Sequence, residues 1–160
     1  MTLTMERLLE HMLWANQEVF KLISQMPDSA LHAFATDSEW NVAEILAHIA
    51  GASGGYGNAL GSDQNREIIR PNAMGDLVII KEKLFTFDTQ LLKLAKDSDG
   101  EVKLIRDGIT KYWKRSTIVS QAVHHATEHR AQAVCALEAR GFKGIKLDDF
   151  DVWAFETHFG

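Results

Sequence analysis

The chain has 160 residues, 46% of them hydrophobic and 24% charged, with two prolines, one cysteine and a formal charge of -5. That size can bury a core without disulfide or metal staples, which sets the expectation of one domain over residues 1–160. The scattered lysines and arginines form no basic face for nucleic acid or an anionic membrane, and no run of apolar residues is long enough to span one. The paucity of proline leaves long stretches free to be helical, so the composition leans all-α. No basic stretch leads into an apolar run near Met1, so no signal peptide is expected. Cys135, read as a small buried apolar residue, fits a reduced cytoplasmic setting.

Leu3 to about Gln25 reads as a first helix, with Leu8, Leu9, Met12, Leu13, Val19, Phe20 and Ile23 returning every three or four residues. Asn16 interrupts that face. A buried amide bonded to a neighbouring helix is the plainer reading of it, and a substrate contact is the bolder one. A connector from Pro27 to Ser38 follows, with one helical turn around Ala30 to Phe34. Trp40, Asn41, Glu44 and Ile45 then supply a staple residue, an N-cap, a reciprocal acidic partner and a second staple residue, so helix two starts at Val42. Ile45, His48, Gly51, Ala52 and Gly55 share one face of it, which puts His48 on an apolar face with open space beyond. The glycines predict a frayed end after Gly54.

Ser62 to Asn72 reads as a loop over the bundle. Helix three runs from Gly75 or Asp76 to Asp97 with Leu77, Ile80, Leu84, Phe87, Leu91 and Leu94 as its buried stripe. Between Glu101 and Lys114, Asp107-Gly108 separates β-prone segments in the pattern of a type I′ hairpin, with Val102 and Trp113 as contacts to the helices. Helix four spans Ser116 to Arg140, closed by Gly141. Its apolar stripe is Val119, Ala122, Ala126, Ala133 and Leu137; beside it Gln121, His125, His129 and Gln132 form a polar one, the arrangement of a bundle-core site. A short terminal helix follows, capped by Asp148 or Asp149.

His125 and His129 stand one turn apart on helix four, where both imidazoles can reach one ion. His48 is the other histidine within an apolar helix face. Three imidazoles from two helices would make a site with an open coordination position, suited to Zn²⁺, Ni²⁺ or Fe²⁺; satisfied core histidines with a stray i,i+4 pair are the competing reading. His11, His32 and His158 read as surface or partly buried residues, and His124 points about 100° away from His125. His125-Ala-Thr-Glu128-His129 also spells the inverted zinc-protease pattern with Glu128 as base, but a chain committed to one bundle leaves little room for a peptide cleft. Glu128 is kept as an auxiliary group. Arg130 falls within the apolar stripe and needs an acidic partner; a structural ion pair is one reading and recognition of an anionic substrate another.

Trp14-Ala15-Asn16, the run from Trp40 to His48, the run from His125 to Gln132 and the closing Asp149-Phe-Asp-Val-Trp-Ala-Phe together resemble, in order, the blocks of the DinB/YfiT-like family of bacterial proteins. The resemblance implies a four-helix bundle with one long crossover connection, often a homodimer, carrying a divalent metal on a triad that maps onto His48, His125 and His129. It also implies activities that include S-transferases and isomerases using a low-molecular-weight thiol. A metal with an open position would bind such a thiol as thiolate, a nucleophile at neutral pH.

The expectation is therefore an all-α four-helix bundle with a long crossover, a small β-hairpin before the last long helix and a short C-terminal helix. Functionally it is a metal-dependent thiol S-transferase or hydrolase acting on a small molecule. The alternative is a non-catalytic, stress-related or dimerising bundle that binds metal incidentally.

Overall fold

The apolar stripes of four long helices meet in one bundle, and the order in which they pack determines which side chains share a surface. The computed structural model describes residues 4–159; the expected start of the first helix at Leu3 lies outside them. Helix α1 is Met5–Ile23, α2 Val42–Ala59, α3 Asp76–Leu94, α4 Arg115–Ala139 and α5 Val152–Phe159, with strands β1 Glu101–Arg106 and β2 Ile109–Lys114 before α4. α2 packs on α3 and α4, and α1 packs on the same two helices, so α1 and α2 stand on one diagonal of the bundle. The connection between α1 and α2 crosses one diagonal of the bundle and holds a 3-10 turn, Asp28–His32, and the longer connection from α3 to α4, which holds the hairpin, crosses the other. None of the described helices is long and apolar enough to cross a membrane.

The N-terminus of α2 is capped as expected, Asn41 Oδ1 accepting from the Glu44 N–H at 3.2 Å. The reciprocal half of the box is replaced: the Glu44 carboxylate pairs with Arg70 of the following loop at 3.4 Å, and Arg70 also donates to Asn41 Oδ1. The frayed end predicted after Gly54 is not found. α2 is regular to Ala59, because Gly54 and Gly57 are buried and tertiary packing outweighs the low helix propensity of glycine.

α3 ends three residues earlier than the spacing suggested, and Leu94 is only partly buried. β1 and β2 pair antiparallel, Val102 opposite Trp113, around a turn in which Asp107 and Gly108 both have positive φ, 53° and 74°. Val102 and Leu104 pack on the helices, while Trp113 stays 43% exposed. α4, about 37 Å long, is closed by Gly141 at φ 80°, whose N–H donates to the Glu138 carbonyl as the Phe142 N–H donates to that of Leu137. Cys135 is exposed rather than buried, since Ala133, Val134, Ala136 and Leu137 take the core positions around it. α5 is capped by Asp151, whose Oδ1 accepts from the Ala154 N–H; Asp148 and Asp149 belong to a preceding 3-10 turn, Leu147–Phe150. Its Phe155 packs on Trp14 of α1.

The buried apolar side chains form two clusters stacked along the bundle. One contains Ala15, Val19, Ile45, Ile49, Leu84, Ala133 and Leu137; the other contains Leu9, Met12, Leu60, Leu91, Val119, Ala122 and Ala126. On α2, α3 and α4 a polar residue falls between the members of the two clusters, Ser53, Asp88 and Arg130, and on α1 Asn16 stands at the boundary beside Ala15; all four are buried.

Asn41→Ala removes the oxygen that satisfies the Glu44 N–H and is expected to cost about 1 kcal/mol. Urea unfolding should show the midpoint falling with an unchanged slope; an unchanged midpoint would mean that the cap contributes nothing.

Candidate metal centre

Two helices bring three imidazoles together. His48 projects from α2 toward α4, where His125 and His129 lie one turn apart. Ring centroids are 4.8 Å apart for His48 and His125, 4.6 Å for His48 and His129, and 4.2 Å for His125 and His129. His48 Nε2 and His125 Nε2 approach to 2.9 Å, and one ring nitrogen from each of the three lies within 4.8 Å of the others. This grouping could hold one metal ion.

The site lies on the rim of the bundle rather than in its core. The buried face of α2 is Ile45, Leu46, Ile49, Ala50 and Ser53, and His48 stands at its exposed edge, not within the apolar face. His125 and His129 are half-buried on the polar flank of α4. The open side of a bound ion would therefore face solvent and the adjoining cleft.

His129 is oriented by a fixed donor chain. Gln132 Oε1 accepts from Trp40 Nε1–H at 2.9 Å and lies 2.8 Å from His129 Nδ1. An indole N–H only donates, so the atom it meets is the amide oxygen, and His129 Nδ1 must carry the proton. The other ring nitrogen, Nε2, is left with its lone pair, as a metal ligand needs. The Trp40 ring also stands edge-on to His48 and His129, at 5.2 and 5.6 Å. Trp40, read from sequence as a staple residue, is thus a wall of the site.

Partial burial, followed by the proximity of His129 and His48, pushes His125 down to about 4; His48 is lowered by burial and then by His129. Both shifts favour the neutral imidazole, in which one ring nitrogen carries a proton and the other has the lone pair that coordinates a metal. Tyr56 of α2 stands edge-on to His125 at 5.7 Å and is raised by burial, so its hydroxyl keeps its proton and can donate to a bound molecule.

Beneath the triad lies the polar layer. Arg130 Nη1 donates to Asn16 Oδ1 at 2.7 Å and Nη2 to Thr127 Oγ1 at 3.1 Å. Asn16 Nδ2 donates to Asp88 at 2.8 Å, and Ser53 Oγ donates to the other Asp88 oxygen at 2.6 Å. The acidic partner that Arg130 requires is Asp88, reached through Asn16 rather than by direct contact. Asn16 is the buried amide of the plainer reading. Burial pushes Asp88 up to about 6 against the opposing bonds from Ser53 and Asn16. A void of only about 10 Å³ separates Asn16, Ser53 and Asp88 from His125 and Tyr56, so the layer underlies the triad directly.

Glu128 is exposed on α4, beside the triad but outside the cleft lining. His32, His124 and His158 are exposed, and His11 is partly buried with Nε2 3.0 Å from the Phe150 carbonyl oxygen. The model of the DinB family matches residues 1–156. The chain belongs to the DinB family. No curated protein and no solved structure matches it. For this DinB-family chain the sequence anticipated the triad, and Gln132 as a neighbour of it, but not Tyr56, Asp88 or Ser53.

Arg130→Met removes one member of a buried charged network and should cost about 3–5 kcal/mol. Combined with Asp88→Asn it should show a coupling of about 1–3 kcal/mol in a double-mutant cycle, whereas strict additivity would mean that the layer is not one unit. Burial holds the Asp88 proton up to about pH 6, while the unfolded carboxyl releases it near the ordinary aspartate value of 3.8. Its contribution to stability is therefore full below the unfolded value and is lost as pH rises through about 6. Carbon-detected NMR of the carboxyl should find a midpoint near 6, and one at the unfolded value would contradict the burial argument.

Proposed function

We propose that His48, His125 and His129 hold a divalent metal ion, Zn²⁺, Ni²⁺ or Fe²⁺, and that the protein is a metal-dependent thiol S-transferase or hydrolase acting on a small molecule. The observation that carries this reading is the convergence of three imidazoles from two helices, one ring nitrogen of each within 4.8 Å of the others, beside a cleft of about 940 Å³. Imidazole donors suit these metals, and three protein ligands leave a position for a reactant. A metal bound there supplies Lewis acidity, which lowers the pKa of a coordinated thiol or water.

The chain's own residues then have separable tasks. Gln132 and Trp40 keep the His129 proton on Nδ1. Tyr56 offers a protonated hydroxyl to the reactant beside His125, and Gln121 of α4 lines the adjoining pocket with it. Glu128 is an auxiliary charge at the edge of the site, felt by Tyr56. The homodimer implied by likeness to the family and the cytoplasmic location suggested by the single cysteine are proposed with this reading. Sedimentation equilibrium showing only monomer at micromolar concentration would remove the dimer.

The protein purified without chelators and reconstituted with Zn²⁺, Ni²⁺ or Fe²⁺ is expected to hold close to one ion per chain, lost in His125→Ala. A wild type that stays metal-free contradicts the proposal. Gln132→Leu, which frees the His129 tautomer, should weaken metal binding by about 10–100-fold. Turnover of electrophiles with low-molecular-weight thiols or water, measured with and without metal, separates the enzyme from a non-catalytic bundle.

A further inference from the structure

Arg66 lies in the loop that crosses α2, and it lines the same cleft as His48, His125 and Tyr56. Among the described residues its guanidinium makes no hydrogen bond or ion pair, whereas Arg70 in the same loop is engaged by Asn41 and Glu44. The guanidinium that the sequence had offered for anion recognition, Arg130, is 2% exposed and bonded within the polar layer, out of reach of any ligand.

The backbone of α2 is shaped to receive Arg66. A Cβ at Gly54 would lie 2.8 Å from the Arg66 Cβ, and one at Gly55 would lie 3.0 Å from Nη1. Alanine at either position would displace the side chain, which gives a physical reason for two adjacent glycines that each cost the helix about 1 kcal/mol relative to alanine. Gly55 follows His48 by seven residues, two turns along the same face, so the guanidinium stands about 10 Å along the helix axis from the triad. Leu104 and Ile105 of β1 form an apolar wall of the cleft.

We propose that Arg66 is the carboxylate-recognition residue of this cleft. The ligand class is a small molecule with a metal-binding atom at one end, an apolar middle against the hairpin and a carboxylate at the other end. A planar guanidinium matches a carboxylate through two parallel N–H···O bonds. The inference rests on the metal reading of the triad and adds to it a constraint on ligand charge and length.

The test uses the full chain loaded with Co²⁺, whose absorption reports thiolate coordination. It is titrated with ω-mercaptocarboxylates from mercaptopropionate to mercaptooctanoate and with their primary amides. The best-matched carboxylate should bind about tenfold more tightly than its amide, a preference that weakens as salt rises. Arg66→Ala should abolish the preference while leaving Co²⁺ affinity and amide binding unchanged. Arg66→Lys should retain part of it, and Gly55→Ala, which moves the guanidinium without removing it, should weaken it.

Equal binding of carboxylate and amide by the wild type, or a preference that survives Arg66→Ala, overturns the assignment while the metal reading stands. Bound Co²⁺ that neither probe perturbs also overturns it. A protein that takes up no Co²⁺ overturns both.

Discussion

Arg130 has to be satisfied before α4 can pack at all. A buried guanidinium without partners is among the costliest things a core can contain, and here, besides Thr127 on α4 itself, its bonds run through the other three helices: Asn16 of α1 directly, then Asp88 of α3, then Ser53 of α2. That requirement fixes the rotation of α4 about its own axis, because a turned helix would break the chain of bonds at its first link. Arg130 follows His129 immediately, so the rotation that satisfies the guanidinium also aims His129 and His125 at α2. Ser53 stands five residues after His48 and ties the facing helix into the same layer. Alignment of the triad is thus a consequence of how the core resolves one buried charge.

The layer also explains why the apolar core is divided in two. Hydrophobic packing sets no register by itself, since aliphatic side chains accept many neighbours, whereas a directional donor–acceptor chain has one arrangement. The two apolar clusters supply the burial, and the polar layer between them sets the relative position of the helices. The triad can therefore sit at the exposed rim and still be held in place, with Trp40 and Gln132 fixing the last degree of freedom, the His129 tautomer.

Much of this was legible before any coordinates. The helical stripes, the Asn41 cap, the Asp107-Gly108 turn and the Gly141 stop are local signals read within a few residues, and His125 with His129 is likewise a local pair. Arg130 announced that an acid was missing, and Asp88 was findable: it stands four residues after Leu84 and three before Leu91, squarely on the buried stripe of α3. The periodicity that marks the stripe is carried by its apolar members, and a carboxylate among them adds nothing to that signal. The regular end of α2 was not legible, because glycine propensity is local while the packing of Gly54 against Phe87 and Arg66 is tertiary. For the same reason the edge position of His48 could not be told from a face position, since a helix wheel shows which residues align but not which of them a neighbour covers. Asp151 as the cap of α5 was missed by two residues among three closely spaced aspartates.

The central claim is that the packing of four helices around Arg130 presents three imidazoles to one ion. X-ray absorption spectroscopy of the Zn²⁺-reconstituted protein reads that first shell directly. The account predicts three imidazole nitrogens at about 2.0–2.1 Å with one or two further light atoms. A shell with fewer than three imidazoles, filled by carboxylate or solvent oxygens, would contradict it.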